Sequence, residues 1–295
     1  MRTTIKSNQT VFNKKVVERN NHLKVRFAKV VRYTLIIMVA FFMIVPYIWM
    51  VATSCKLPSD VSITHFELFP KHFTWANYAT SFSLLKVHLY FKNSFIVSFF
   101  AVFLQTAICS LAAFALARLK FPGAALLLIA FLGTMMVPEE AIMVPLFMLI
   151  KKLGMANSYP GMILPIVPWG FSIYMLTQFF KEVPKAIEES AIIDGCSTIR
   201  LFWQIILPLA RPALGAVFIF SFIMTWDQFV IPLLVVTDQS KMTIPLGLAN
   251  CVHDAGENHA LLAAASTLAT IPSVIIFVCF QKYFIKGITM GSVKG

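Results

Sequence analysis

The chain has 295 residues, of which 58% are hydrophobic and 13% charged, with a formal net charge of +12. A soluble domain carries about a quarter charged residues, so this composition excludes a soluble globular protein. With 28 Phe against 12 Gly it also excludes a disordered or fibrous chain.

The chain opens on a basic arm, residues 1–32, in which nine Lys and Arg face one acid, Glu18. No nucleic-acid motif accompanies this charge, so the arm is expected to anchor and orient a membrane protein, with lipid and not nucleic acid beside it. The first apolar run follows at 33–53. It lies too far in for a cleaved signal peptide and is expected to remain as a span.

A helix needs about twenty apolar residues to cross the hydrocarbon core. Six stretches qualify: 33–53, 94–117, 124 to about 150, 161–180, 212–236 and 260–281. The third is interrupted at Pro138-Glu139-Glu140. Only helices are plausible, because unpaired backbone in lipid costs several kcal/mol per group. The fold class is therefore an all-α membrane protein of six transmembrane helices: one domain, 33–295, behind the arm. With six spans both ends share one side. Placing the N-terminus inside puts eighteen of the 25 Lys and Arg there, so both termini are expected in the cytoplasm. The outer loops 54–93 and 237–259 then face the exterior, the first with aromatics suited to the membrane interface.

Between the fourth and fifth spans, inside a loop of about 181–212, runs EESAIIDGCSTIRLFWQIILPLARP, residues 188–212. Pro184 suits a first helical turn, and Glu188 and Glu189 lie near its positive end. Ile187, Ala191 and Ile192 are expected to share one face, and Gly195 permits the conformation that stops the helix. Ser197 is the candidate cap of a second helix in which Ile199, Phe202, Ile205 and Ile206 recur at helical spacing, and Pro208 ends it. The spacing predicts a helix-turn-helix on the inner face. It either rests on the inner leaflet or docks a cytosolic partner.

Inside the fifth span lie Trp226, Asp227 and Gln228. A carboxylate at bilayer depth is costly and must face the bundle or a water-filled path. Asp227 and Gln228 then either line a pore, with Trp226 as a stacking face, or bond a neighbouring helix. Glu139 and Glu140 either line an entrance or cap a broken helix. Met135, Met136 and the many Phe are expected to serve packing and lipid contact. The six His and five Cys show no metal-ligand spacing, and a Cys55–Cys251 disulfide outside stays open. No catalytic constellation and no phosphate-binding G-x-x-x-x-G-K-[ST] loop is present in the sequence, so the chain is expected to be no enzyme.

The 188–212 stretch resembles the EAA loop of ABC importer permeases, E-A-A-x-x-x-G followed by I-x-L-P. It runs here as Glu189-Ser190-Ala191, Gly195, then Ile205, Leu207 and Pro208, with Ser190 in place of the usual Ala and Asp194 before the Gly. LAAFALARLKFPG (111–123), MMVPEEAIMVPLFMLIKKLGMANS (135–158), TWDQF (225–229) and the closing FQKYFIKGITMGSVKG (280–295) resemble further segments of the maltose-type sugar permeases, from about Asn77 to the end. The family's usual Asn is Asp227 here.

This resemblance implies a type I ABC importer permease in the bacterial cytoplasmic membrane, forming half of a carbohydrate path. A second homologous permease, two cytosolic ATPase subunits and an extracytoplasmic solute-binding protein would complete it. No cofactor is expected on this chain; ATP and Mg would sit on the ATPases. Glu188, Glu189, Ser190, Ala191, Asp194 and Gly195 would contact the ATPase through a coupling helix, while Ile205, Leu207 and Pro208 brace the loop. The alternative is a secondary transporter or channel without an ATPase. It would call for charged relays in several spans, where this chain offers one clear mid-span acid.

Overall fold

The computed structural model describes the backbone of residues 2–61, 67–256 and 258–290, and the side chains of 26–61, 67–252, 256 and 258–282. The basic side chains of the arm before Arg26, and those of the closing motif from 283 onward, lie outside the described residues. Helix α1 (Arg2–Ser54) is continuous, with no backbone break between arm and first span. Its stretch Arg26–Ser54 is exposed almost all round. An all-apolar helix left open in this way must be covered by lipid or another chain.

Beyond α1 a folded segment is pinned back onto the helix end. Asn77 Nδ2 donates to the carbonyls of Ser54 (2.8 Å) and Lys56 (2.7 Å), and Lys56 pairs with Phe73 as an isolated antiparallel bridge. Helix α2 (Ala76–Ser83) follows, and left-handed Lys86 turns the chain into α3 (Val87–Arg118). Helix α3 is the central post, in contact with several of the later elements.

The next spans are broken rods. Helices α4 (Ala124–Thr134) and α5 (Glu139–Lys152) meet at 102° across the Pro138 break. Helix α6 (Tyr159–Ile163) leads through a tight turn at 164–166 into α7 (Gly170–Glu182), bent by 45°. The loop predicted as helix-turn-helix holds α8 (Lys185–Ile193) and α9 (Thr198–Leu201), then a π-helical turn at 202–206 and α10 (Leu207–Leu209). A 78° bend enters α11 (Arg211–Trp226). Then come α12 (Val230–Val235), α13 (Ile244–Ala255) and α14 (His259–Met290). Three described helices are each long and apolar enough to cross a membrane, and three bent pairs bring the number to as many as six. The fifth span differs from expectation: the helix stops at Trp226, so the stretch to Val236 is two helices rather than one.

Two buried clusters hold the bundle. One surrounds Tyr90, Trp226 and Leu261; the other gathers Phe114, Phe180, Phe202 and Ile206 where α3, α7 and α11 meet the loop of α8 and α9. Small residues make the approaches close, since helices in lipid gain stability by packing rather than by leaving water. Ala213, Ala216, Ala260, Ala264 and Ala265 are essentially fully buried. Gly170 stands so near the Phe131 carbonyl that an added methyl group would collide with it. Cys55, Cys109, Cys196 and Cys279 are free thiols, while Cys251 is buried with its Sγ toward the Leu85 carbonyl at 3.8 Å.

Candidate coupling and path sites

Helix α8 ends in a glycine-capped turn. Gly195 has φ +79°, its N–H meets the Ile192 carbonyl at 3.0 Å, and the Cys196 N–H reaches back to Ala191 at 2.9 Å. Those two bonds satisfy carbonyls that the helix leaves open, and glycine adopts this backbone without steric cost. Ser197 then caps α9, its hydroxyl accepting from the Arg200 N–H at 3.4 Å. Pro208 lacks an N–H and crowds the preceding turn, and the widened π turn at 202–206 absorbs it.

Three contacts fasten this knob to the spans. Phe202 packs its ring 5.1 Å from that of Phe114, and Ile206 is fully buried beside it. Ala191 is buried in the same cluster. The third contact is electrostatic. Arg118, last residue of α3, donates through Nη2 to the Val183 carbonyl (2.7 Å), and its Nε lies 2.6 Å from Glu188 Oε1. The Nε–H is not aimed along that line, so the pair is a charge contact rather than an aligned hydrogen bond. Both side chains are shielded, at 5% and 13% exposure.

The expected coupling residues therefore divide. Glu188 and Ala191 face their own bundle, while Glu189, Ser190, Asp194 and Gly195 are exposed. Ile187 and Ile192, expected with Ala191 on a packed face, are exposed instead. Glu189, Ile192 and Ile193 share the opposite face by helical spacing. Ile193 is 86% and Ile199 75% exposed, and Trp203 is open too. The knob thus presents carboxylates beside bare aliphatic and aromatic groups. Ile205 and Leu207 are partly buried against the inner cluster, but Pro208 is exposed; Leu201, Phe202 and Ile206 supply the firmer brace.

At the other end of the bundle, Trp226, Asp227 and Gln228 point three ways. Trp226 is 2% exposed, stacks on Phe222 at 5.5 Å and donates from Nε1 to the Ala269 carbonyl at 3.0 Å. It locks α11 to α14 and, though almost fully buried, borders the same cavity as Asp227. Asp227, at the end of α11, lines a cavity of about 680 Å³ together with Tyr47, Ser266, Thr270 and Ser273. Gln228 reaches the Glu139 carboxylate at 3.3 Å through Nε2, and its Oε1 accepts from the Val230 N–H at 3.1 Å. It ties the start of α12 to the start of α5, beside a second cavity of about 270 Å³.

The sequence reading missed a second polar centre, Asn157. It sits in the left-handed region at φ 51°, and its Oδ1 accepts from the Thr237 and Asp238 N–H groups at 2.7 and 3.0 Å. Its carbonyl takes Lys241 Nζ at 2.6 Å. Nearby, Asn93 donates to the Ser240 and Met242 carbonyls (2.9 Å each) and accepts from Tyr159 OH. The Asp238 carboxyl is held below its ordinary value by hydrogen bonds from Ser240. The only signal for these anchors in the sequence was an amide at a turn or inside an apolar run. No group of three or more metal-ligating side chains occurs among the described residues.

The family model described as binding-protein-dependent transport system inner membrane component matches residues 105–290. The chain is 36% identical over 264 residues to the trehalose/maltose transport system permease protein MalG of Thermococcus litoralis, covering 88% of this chain and 94% of that one. It is 32% identical over 275 residues to the diacetylchitobiose uptake system permease protein NgcG of Streptomyces coelicolor, covering 91% and 90%. Among solved structures, a bacterial ABC transporter involved in the import of the acidic polysaccharide alginate superposes with a TM-score of 0.78 at 20% identity. That match covers 88% of this chain and 97% of the other and speaks for the fold.

Proposed function

The chain belongs to the family of binding-protein-dependent transport system inner membrane components, and from that premise we propose that it is one half of the membrane path of an ATP-driven carbohydrate importer. A second permease forms the other half, two cytosolic ATPase subunits supply energy, and an extracytoplasmic binding protein delivers the saccharide. Carbohydrate as the substrate class is supported by relatives named for trehalose/maltose and diacetylchitobiose transport.

One observation carries the mechanism: the α8–α9 knob is bound tightly inward and left bare outward. Inward, Arg118–Glu188, Phe202 and Ile206 join it to α3, α7 and α11. Outward, Glu189, Asp194, Ile193, Ile199 and Trp203 form a contact surface for an ATPase. A push on that surface moves three spans together. The breaks at 135–138, 164–169 and 227–229 are where the spans then bend, because interrupted helices hold fewer hydrogen bonds against bending. The charge of the basic arm and of the loops on its side supports an orientation with both termini in the cytoplasm.

Purification of the chain with its neighbours tests this. A second permease and an ATPase should co-purify, and the ATPase rate should rise with saccharide-loaded binding protein. Uptake by this polypeptide alone, driven by an ion gradient, would overturn the reading in favour of a secondary transporter.

A further inference from the structure

We propose that Asp227 is a docking point for a basic side chain of the second permease, received in the cavity of about 680 Å³ that this residue lines. This rests on the importer reading above, which supplies the second permease. It goes beyond that reading by naming where the partner is gripped and by what charge.

Asp227 has no counterpart within its own chain. It is exposed, and its carboxylate forms no hydrogen bond or ion pair among the described residues, whereas Glu139 meets Gln228 and Glu188 meets Arg118. No Lys, Arg or His is among the described residues that line the cavity. Depth makes this matter. Asp227 stands sixteen residues beyond Arg211, the start of α11, or about 24 Å along the helix at 1.5 Å per residue. A hydrocarbon core is about 30 Å thick, so the carboxylate falls within it. A charge that meets only acyl chains at that depth is strongly disfavoured, and such residues face a partner or water instead.

The walls indicate what kind of body enters. One wall is α14, where Ser266, Ala269, Thr270 and Ser273 put a run of small residues on one helical face. Such a face lets the backbone of another helix come close in lipid. Another edge is Tyr47 of α1, the helix that stays exposed almost all round. Val274 and Phe277 at the rim are exposed as well. The cavity therefore opens onto a bare apolar face. A lipid tail would cover that face and leave the carboxylate unpaired. A helix of the second permease carrying a Lys or Arg covers the face and pairs the charge. Arg fits best, because its apolar stem can lie along the small-residue wall while the guanidinium takes both carboxylate oxygens.

The test uses the complete importer, expressed with all its subunits. p-Benzoyl-phenylalanine is placed at Val274, on the cavity rim, and irradiated in the membrane. The expected product is a cross-link to the second permease, with a Lys or Arg within one helical turn of the captured residue. Asp227→Lys should cut the second permease retained on an affinity column at least tenfold, and Asp227→Glu should keep it. Asp227→Lys combined with an acid in place of that Lys or Arg should recover retention, which misfolding would not allow. If the unaltered chain brings down no second permease, the importer reading itself fails. If it does, but Val274 captures only lipid or retention ignores Asp227→Lys, the docking point is overturned. A changed KM for saccharide uptake with retention intact also overturns it, and puts Asp227 on the sugar path instead.

Discussion

Arg118 Nε lies 2.6 Å from Glu188 Oε1, joining the last residue of one span to the first turn of the helix that projects from the bundle. Removing either partner leaves a shielded charge alone, at a cost of about 3 kcal/mol. Glu188→Ala should therefore lower the thermal midpoint of the purified complex. The exchange Arg118→Glu with Glu188→Arg should recover part of the loss. Glu189→Ala, on the exposed face, should change stability by less than about 0.5 kcal/mol while weakening retention of the ATPase on a column.

Gly195 sits at φ +79° with open space around it, so a side chain there meets backbone strain and not a clash. Gly195→Ala should cost about 1–2 kcal/mol. The pair Gly195→Asp with Glu189→Lys should insert normally yet fail in transport. Undiminished ATPase binding by that double variant would refute the coupling role of the knob.

Asn157 holds the 236–241 segment through its own side chain and carbonyl. Asn157→Ala loses two backbone-amide bonds worth about 1 kcal/mol each. Hydrogen exchange at Thr237 and Asp238 should accelerate at least tenfold, with α3 unaffected. Equal protection in the variant would show that the loop is held by other contacts.

Trp226 is a lock between α11 and α14. Trp226→Phe keeps the ring and loses one bond, for about 1–2 kcal/mol; Trp226→Ala should cost about 3–5 kcal/mol. Both should act on thermal stability and leave the set of accepted saccharides unchanged. A shift in sugar preference without loss of stability would show that Trp226 meets the substrate.

Orientation is open to thiol labelling. Ser190 and Ser59 are both exposed, on opposite ends of the bundle. In intact cells an impermeant maleimide should label Ser59→Cys and spare Ser190→Cys until the membrane is opened. Labelling of Ser190→Cys in sealed cells would invert the topology.

Much of this was legible from the residues. The apolar runs pointed to the long helices, though α3 begins at Val87 instead of 94 and the fifth run is two helices; Gly195 and Ser197 marked the turn and cap of the knob, and the ordered motifs pointed to the family. Those features depend on a residue's own hydropathy, backbone freedom or immediate neighbours. The break after Trp226 was not legible, because the apolar residues on both sides of Asp227 and Gln228 keep the average over 212–236 high, and hydropathy does not register a local loss of helical hydrogen bonds.

By itself the sequence determined that the chain is helical and apolar enough for a membrane, where along it the charged loop lies and which family it resembles, since all three rest on local composition and order. Only the tertiary structure decided that Glu188 turns inward while Glu189 faces out, and that Trp226 and Asp227 border one cavity while Gln228 borders another. Those assignments depend on partners far along the chain, Arg118, Ala269 and Glu139. Which distant side chain a residue meets is set by the angles at which helices pack and break, and no periodicity within a single helix encodes them.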